Sequence, residues 1–112
     1  MLVIRKKVYN IGMAKESDLQ ATIMHWLRGH GAVAFKYQQN ATTRAALPDI
    51  FWCYKKAYGF LEVKKDSKAS FRPGQKETLE GLGKWTFAKV VFPENWGIIR
   101  EEIEDIIRNE DL

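Results

Sequence analysis

Asp49, Glu62 and Lys64 are the residues whose types and spacing can do chemistry. They lie in two apolar stretches, residues 49–55 and 60–64, separated by Lys-Lys-Ala-Tyr-Gly. Both stretches are rich in aromatic and branched residues, which favours strands. A short connection makes the pair an antiparallel hairpin. With the turn centred between Lys56 and Ala57, Asp49 is expected opposite Lys64. Side chains alternate along a strand and opposed residues share a face. Asp49, Glu62 and Lys64 then project from one face near one end of the hairpin, and Ile50, Trp52, Leu61 and Val63 from the other. A slip of one residue would destroy this arrangement, so the register is itself an expectation. Asp49, Glu62 and the Val63 carbonyl offer oxygen ligands suited to Mg²⁺, with Mn²⁺ able to substitute. Mg²⁺ takes six oxygens at about 2.0–2.1 Å and keeps several waters. Such an ion activates a bound water and neutralises charge on a phosphodiester. Lys64 would orient or deprotonate that water, or stabilise the developing charge. A plainer alternative makes Asp49 a turn residue after Pro48. Glu62 and Lys64 are then the solvated face of an edge strand. It accounts for each residue singly, but not for their convergence on one face.

The elements that must position these groups can be read on either side. Residues 17–29 form a helix: Ser17 with Gln20 makes a capping box, and Leu19, Ile23, Trp26 and Leu27 make an apolar stripe. Gly29 and Gly31 end it. Glu16 sits at its first turn, where an acid also favours the helix dipole. Ala32 to Tyr37 is a first strand with Val33 and Phe35 on one face. Residues 38–46 are small and polar and lead straight into Asp49, so Asn40 and Arg44 are either phosphate contacts or parts of a plain loop. After the hairpin, Lys65, Lys68 and Arg72 make a basic loop suited to nucleic-acid backbone contacts. Pro73 opens a second helix running to about Leu82. Gln75 lies in its first turn beside free N–H groups that favour phosphate, and Lys76 is a weaker phosphate candidate. Trp85 to Phe92 is a fourth strand, parallel to the hairpin strand that precedes the second helix. Residues 98–108 are a last helix with Ile99, Ile103, Ile106 and Ile107 inward. The order αβββαβα defines a three-layer α/β/α domain over residues 14–112 around a small mixed sheet. Residues 1–13 are a strand or an arm.

Composition narrows the classes. The chain has 112 residues, 46% of them apolar and 29% charged, which suits one globular domain. No apolar run approaches the ~20 residues of a membrane span, so no membrane partner is expected. The charges of Met1-Leu-Val-Ile-Arg-Lys-Lys follow its apolar residues, contrary to a secretory signal. The single cysteine, Cys53, fits a reducing compartment, and a cytoplasmic location is expected. His25 and His30 lack zinc-site partners and are read as surface or packing residues. Residues 36–89 hold eleven basic and five acidic residues, whereas residues 90–112 hold two and seven. The basic middle contains the candidate site and can neutralise phosphates. An ordinary lysine-rich surface has a similar balance.

At Pro48-Asp49 and Glu62-Val63-Lys64 the chain resembles the PD-(D/E)XK nuclease superfamily. The surrounding pattern is most similar to its virus-type replication-repair nuclease (VRR-NUC) branch. Lys15-Glu16-Ser-Asp-Leu-Gln20 opens the first helix as in that branch, and Ser70-Phe-Arg-Pro73-Gly-Gln75 follows the hairpin. Four ordered elements at compatible spacings carry more than any one of them. The resemblance covers about residues 14–92. It implies a restriction-endonuclease-like fold and a Mg²⁺-dependent DNA endonuclease. It further implies an acidic residue at Glu16 reaching the metal or its waters, with Gln20 in support, and Gln75 at the active site. Stand-alone members of the branch imply a homodimer cutting branched DNA such as Holliday junctions, in the bacterial host cytoplasm where phage-encoded. An exonuclease, a duplex-nicking enzyme and a non-catalytic nucleic-acid-binding module are the alternatives.

Overall fold

The computed structural model describes residues 15–37 and 46–112. The expectations for residues 1–13, Asn40 and Arg44 fall outside these. Seven elements follow in the order helix, three strands, helix, strand, helix: α1 (Glu16–Gly29), β1 (Val33–Lys36), β2 (Ile50–Tyr54), β3 (Ala57–Val63), α2 (Gln75–Gly83), β4 (Phe87–Val91) and α3 (Trp96–Glu110). The αβββαβα order is as expected.

Helix α1 starts one residue earlier than its sequence signals place it. Lys15, with extended backbone, is the N-cap, and no side chain caps the helix. The expected Ser17–Gln20 box therefore does not form. Instead Glu16 and Asp18 in the first turn and Arg28 in the last complement the helix dipole. The buried stripe is Leu19, Ile23, Met24 and Leu27. Trp26 is only partly buried and meets Trp96 edge-on at 5.6 Å. An indole at the rim of a helix stripe fits better than at its centre, where the unbranched Met24 fills the gap.

The strands form one sheet in the order β1-β2-β3-β4. The pairs β1–β2 and β2–β3 are antiparallel, and β3–β4 is parallel. The hairpin register differs from the expected one. Ile50 pairs with Leu61, Trp52 with Gly59 and Tyr54 with Ala57, so the turn is the two residues Lys55-Lys56. Extending this register places Asp49 opposite Glu62 rather than Lys64. The shift is even, so every side chain keeps its expected face. Its cause lies at the far end of the chain. Lys55 adopts φ +54°, a left-handed conformation uncommon outside glycine. Its ammonium lies 2.6 Å from Asp111, to which the Tyr54 hydroxyl also donates at 2.8 Å. The Lys56 N–H donates to Glu110 at 3.1 Å. The last turn of α3 thus holds the hairpin turn.

The core lies on one face of the sheet. Ile50, Trp52, Leu61, Val63 and Val91 pack there against Leu19, Ile23 and Leu27 of α1 and Ile99, Ile103 and Ile107 of α3. Gly59 is required by this packing: a Cβ there would stand 2.7 Å from Trp52 Nε1 and 2.8 Å from the Phe87 carbonyl oxygen. Trp96 is buried and begins α3. The opposite face takes α2, which packs on β4. Pro73 precedes α2 rather than opening it, because Gly74 at φ +84° makes the N-cap. The three-layer α/β architecture is therefore present, with α1 and α3 on one side and α2 on the other. Among the described residues no helix covers β1, β2 and the tip of β3 on the α2 side. An aromatic surface of Phe35, Phe51, Tyr58 and Phe60 lies there.

Candidate functional site

The site lies where β2 begins and β3 ends. The Tyr37 N–H donates to the Asp49 carbonyl at 3.0 Å, carrying the β1–β2 ladder to Asp49. At the other strand, the Lys64 N–H donates to the Val91 carbonyl at 2.9 Å, carrying the β3–β4 ladder to Lys64. Both ends of the motif are thereby fixed to the sheet. Asp49 Oδ2 accepts the Val63 N–H at 2.8 Å. Val63 thus enters the site through its amide, and its side chain belongs to the core.

Glu62 is buried, with 3% of its surface exposed, on the face opposite that core. Gln75, equally buried, joins the groups around it. Gln75 Nε2 donates to Glu62 Oε2 at 2.8 Å. Gln75 Oε1 accepts Lys64 Nζ at 3.1 Å and the Arg72 N–H at 2.8 Å. Lys64 Nζ also lies 3.4 Å from Glu62 Oε2 and 5.3 Å from the centre of the Phe71 ring, so it sits between a carboxylate, an amide and a π face. One glutamine side chain therefore sets the distance between Glu62, Lys64 and the loop before α2. A solvated first-turn residue could not hold these groups together.

The remaining Glu62 oxygen, Oε1, is buried without a hydrogen-bond partner among the described residues. A buried polar atom in that state costs about 1–3 kcal/mol, and more for a charged group. Burial and then the charge of Asp49 push the Glu62 carboxyl up to about 7, against the opposing pull of Lys64 and Gln75. Glu16, at the N-terminus of α1, is also raised, by partial burial and by Asp49, with Lys64 and Arg72 opposing. Three carboxylates and two cations therefore share one field.

This donor set fits a hard divalent cation. Among the described residues no cluster of three or more His, Cys, Asp or Glu side chains is assembled for metal binding. Mg²⁺ does not require one, since one or two carboxylates plus waters suffice. Glu62 Oε1 and Asp49 are the residues that would hold it, with Glu16 within electrostatic reach.

The other expected residues divide. Gln20 accepts Lys36 Nζ at 3.4 Å and so is tied to β1 rather than to the carboxylates. Lys65, Lys68 and Arg72 are exposed between β3 and α2, and Lys76 is exposed in the first turn of α2. Lys68 is shaped by an N–H bond to Asp66 at 2.8 Å. Lys76 lines an open cleft of about 450 Å³ between α2 and β4. His30 packs on Trp26, its ring centre 4.2 Å away, in keeping with its reading as a packing residue. Two further aromatic residues are engaged within the chain: Trp96 in the core and Tyr54 on Asp111. Phe71 and Gly74 were not foreseen at the site. Their signal was the Phe-Arg-Pro-Gly run itself, whose glycine allows the left-handed turn that aims Gln75 inward.

No protein-family model, curated protein or solved structure matches the chain. No helix among the described residues is long and apolar enough to cross a membrane.

Proposed function

We propose that the protein is a Mg²⁺-dependent nuclease that hydrolyses DNA phosphodiester bonds. The observation that carries this reading is the buried, unpartnered Oε1 of Glu62 beside Asp49 and Lys64. A carboxylate kept from water, raised by a second carboxylate and left with one bare oxygen gains most from a bound cation. When bound, that cation supplies Lewis acidity and an activated water. The chain's own groups do the rest. Glu62 and Asp49 hold the ion, and Gln75 fixes Glu62 relative to Lys64. The Lys64 ammonium is the donor placed to meet negative charge as the water oxygen bonds to phosphorus and the sugar oxygen leaves. Glu16, with its raised pKa at the rim, can accept a proton from water or hold the ion's hydration shell. Lys65, Lys68 and Arg72 carry the phosphate backbone. The resemblance in the Pro48-Asp49 and Glu62-Val63-Lys64 motifs supports the same reading and adds branched DNA as the substrate.

The test is cleavage of end-labelled junctions, flaps, single strands and linear duplex with Mg²⁺, Mn²⁺ or EDTA. Metal-dependent cleavage, strongest on branched substrates and lost in Glu62→Gln, is expected. Absence of cleavage of every substrate with either metal refutes the assignment.

A further inference from the structure

Two rows of side chains run side by side across the face of the sheet opposite the core, where no helix among the described residues covers β1 and β2. In the first, Tyr37, Asp49 and Glu62 stand across from one another at the ends of β1, β2 and β3. In the second, Phe35 pairs with Phe51 and Phe51 with Phe60. Their ring centres are 5.2 and 5.3 Å apart. The rows are two residues apart along each strand, about 6.6 Å at the usual strand rise. Tyr58 extends the second row toward the hairpin tip, 6.4 Å from Phe51. Phe35 and Tyr58 remain 44% and 43% exposed. An aromatic row of this kind is unusual on a solvated face unless something covers it.

We infer that this row is a stacking platform for unpaired nucleobases, seating a single-stranded segment of the substrate beside the carboxylates. This rests on the nuclease reading for the direction of the strand. Three observations select the occupant. The surface is built from rings, and every base offers a π face, so stacking on them tolerates any sequence. It is continuous with the candidate metal site: a strand whose phosphate lies at Asp49 and Glu62 places its neighbouring base, one step along the sheet, over Phe51 and Phe60. The flank beyond the carboxylates is basic. Arg72 adjoins Gln75 there, and Lys76 lines the cleft with Ala88 and Val90, which share this face. A paired duplex keeps its bases stacked on one another and cannot use the platform. The substrate class is therefore DNA with unpaired nucleotides next to the scissile bond, as in flaps, splayed arms and opened junction centres.

The experiment measures binding in EDTA, without turnover, by fluorescence anisotropy. The probes are an oligothymidylate of about fifteen nucleotides and an abasic strand of equal length and charge. The wild type should prefer the base-bearing strand at least tenfold. Phe35→Ala and Tyr58→Ala, chosen because both rings are half in solvent, should each weaken that binding about 5- to 100-fold and leave abasic binding unchanged. Tyr58→Phe should retain it. Circular dichroism confirms folding, and the wild-type comparison of the two strands needs no variant. Equal affinity for both strands, or variants without effect, overturns the inference. A halving of the light-scattering mass in Phe35→Ala also overturns it, by assigning the face to a second copy of the chain. Base-dependent binding without any metal-dependent cleavage refutes the nuclease reading alone. Cleavage without base dependence refutes the platform alone.

Discussion

Glu62→Gln should stabilise the metal-free protein at alkaline pH, although it removes a residue at the centre of the site. The folded state holds the Glu62 carboxyl at about 7, against 4.5 for an ordinary glutamate. The fold thus favours the protonated form. Below pH 4.5 the group costs nothing, because folded and unfolded chains both carry the proton. Between 4.5 and about 7 the unfolded chain ionises first, and stability falls. Above that window the full cost applies, about 3 kcal/mol from ~1.4 kcal/mol per pH unit. Glutamine removes the charge and keeps an acceptor for Gln75 Nε2, but leaves its own NH₂ where Oε1 has no partner. That offsets part of the gain, about 1–2 kcal/mol. The expected outcome in EDTA is a variant more stable than wild type by about 1–2 kcal/mol at pH 8, with the difference gone or reversed at pH 5. Urea unfolding at both pH values measures it. Mg²⁺ should then stabilise the wild type at pH 8, by about 2.7 kcal/mol at a hundredfold excess over Kd, and leave Glu62→Gln unmoved. A variant less stable than wild type at pH 8 in EDTA, or a difference independent of pH, would refute the reasoning.

Asp49→Asn should abolish cleavage with near-native stability, because its amide oxygen can still accept the Val63 N–H; Asp49→Ala should lose a further ~1–3 kcal/mol in thermal melts by orphaning that donor. Lys64→Ala should lose turnover with DNA affinity largely kept. Lys68→Ala should weaken binding across all sequences and reduce its salt slope by about one; equal catalytic defects in both would dissolve the distinction. Gly59→Ala should destabilise by about 1–3 kcal/mol through overpacking against Trp52 and the Phe87 carbonyl, with no effect on Mg²⁺ affinity measured by calorimetry.

What the sequence made readable was parity, and what it hid was position. The alternation of Asp49, Ile50, Phe51 and Trp52 against Leu61, Glu62 and Val63 assigns each side chain to a face, and burial of one set rewards that assignment wherever the turn falls. An even error in register therefore moved Asp49 from Lys64 to Glu62 without removing it from the site. The turn itself was not readable, because Lys55-Lys56 carries no glycine or asparagine. Asp111 holds its left-handed residue, Lys55, and Glu110 accepts the Lys56 N–H, both from more than fifty residues away. Gln75 shows the same division. Its first-turn position was visible locally, but its part in binding Glu62 and Lys64 together exists only once α2 lies on the sheet. Phe35, Phe51 and Phe60 go further. Each reads singly as an ordinary strand residue, and only the pairing of three strands turns them into a row beside the carboxylates. An arrangement that depends on one hairpin is thus visible in the order of residues. A surface that draws on three strands at once is not.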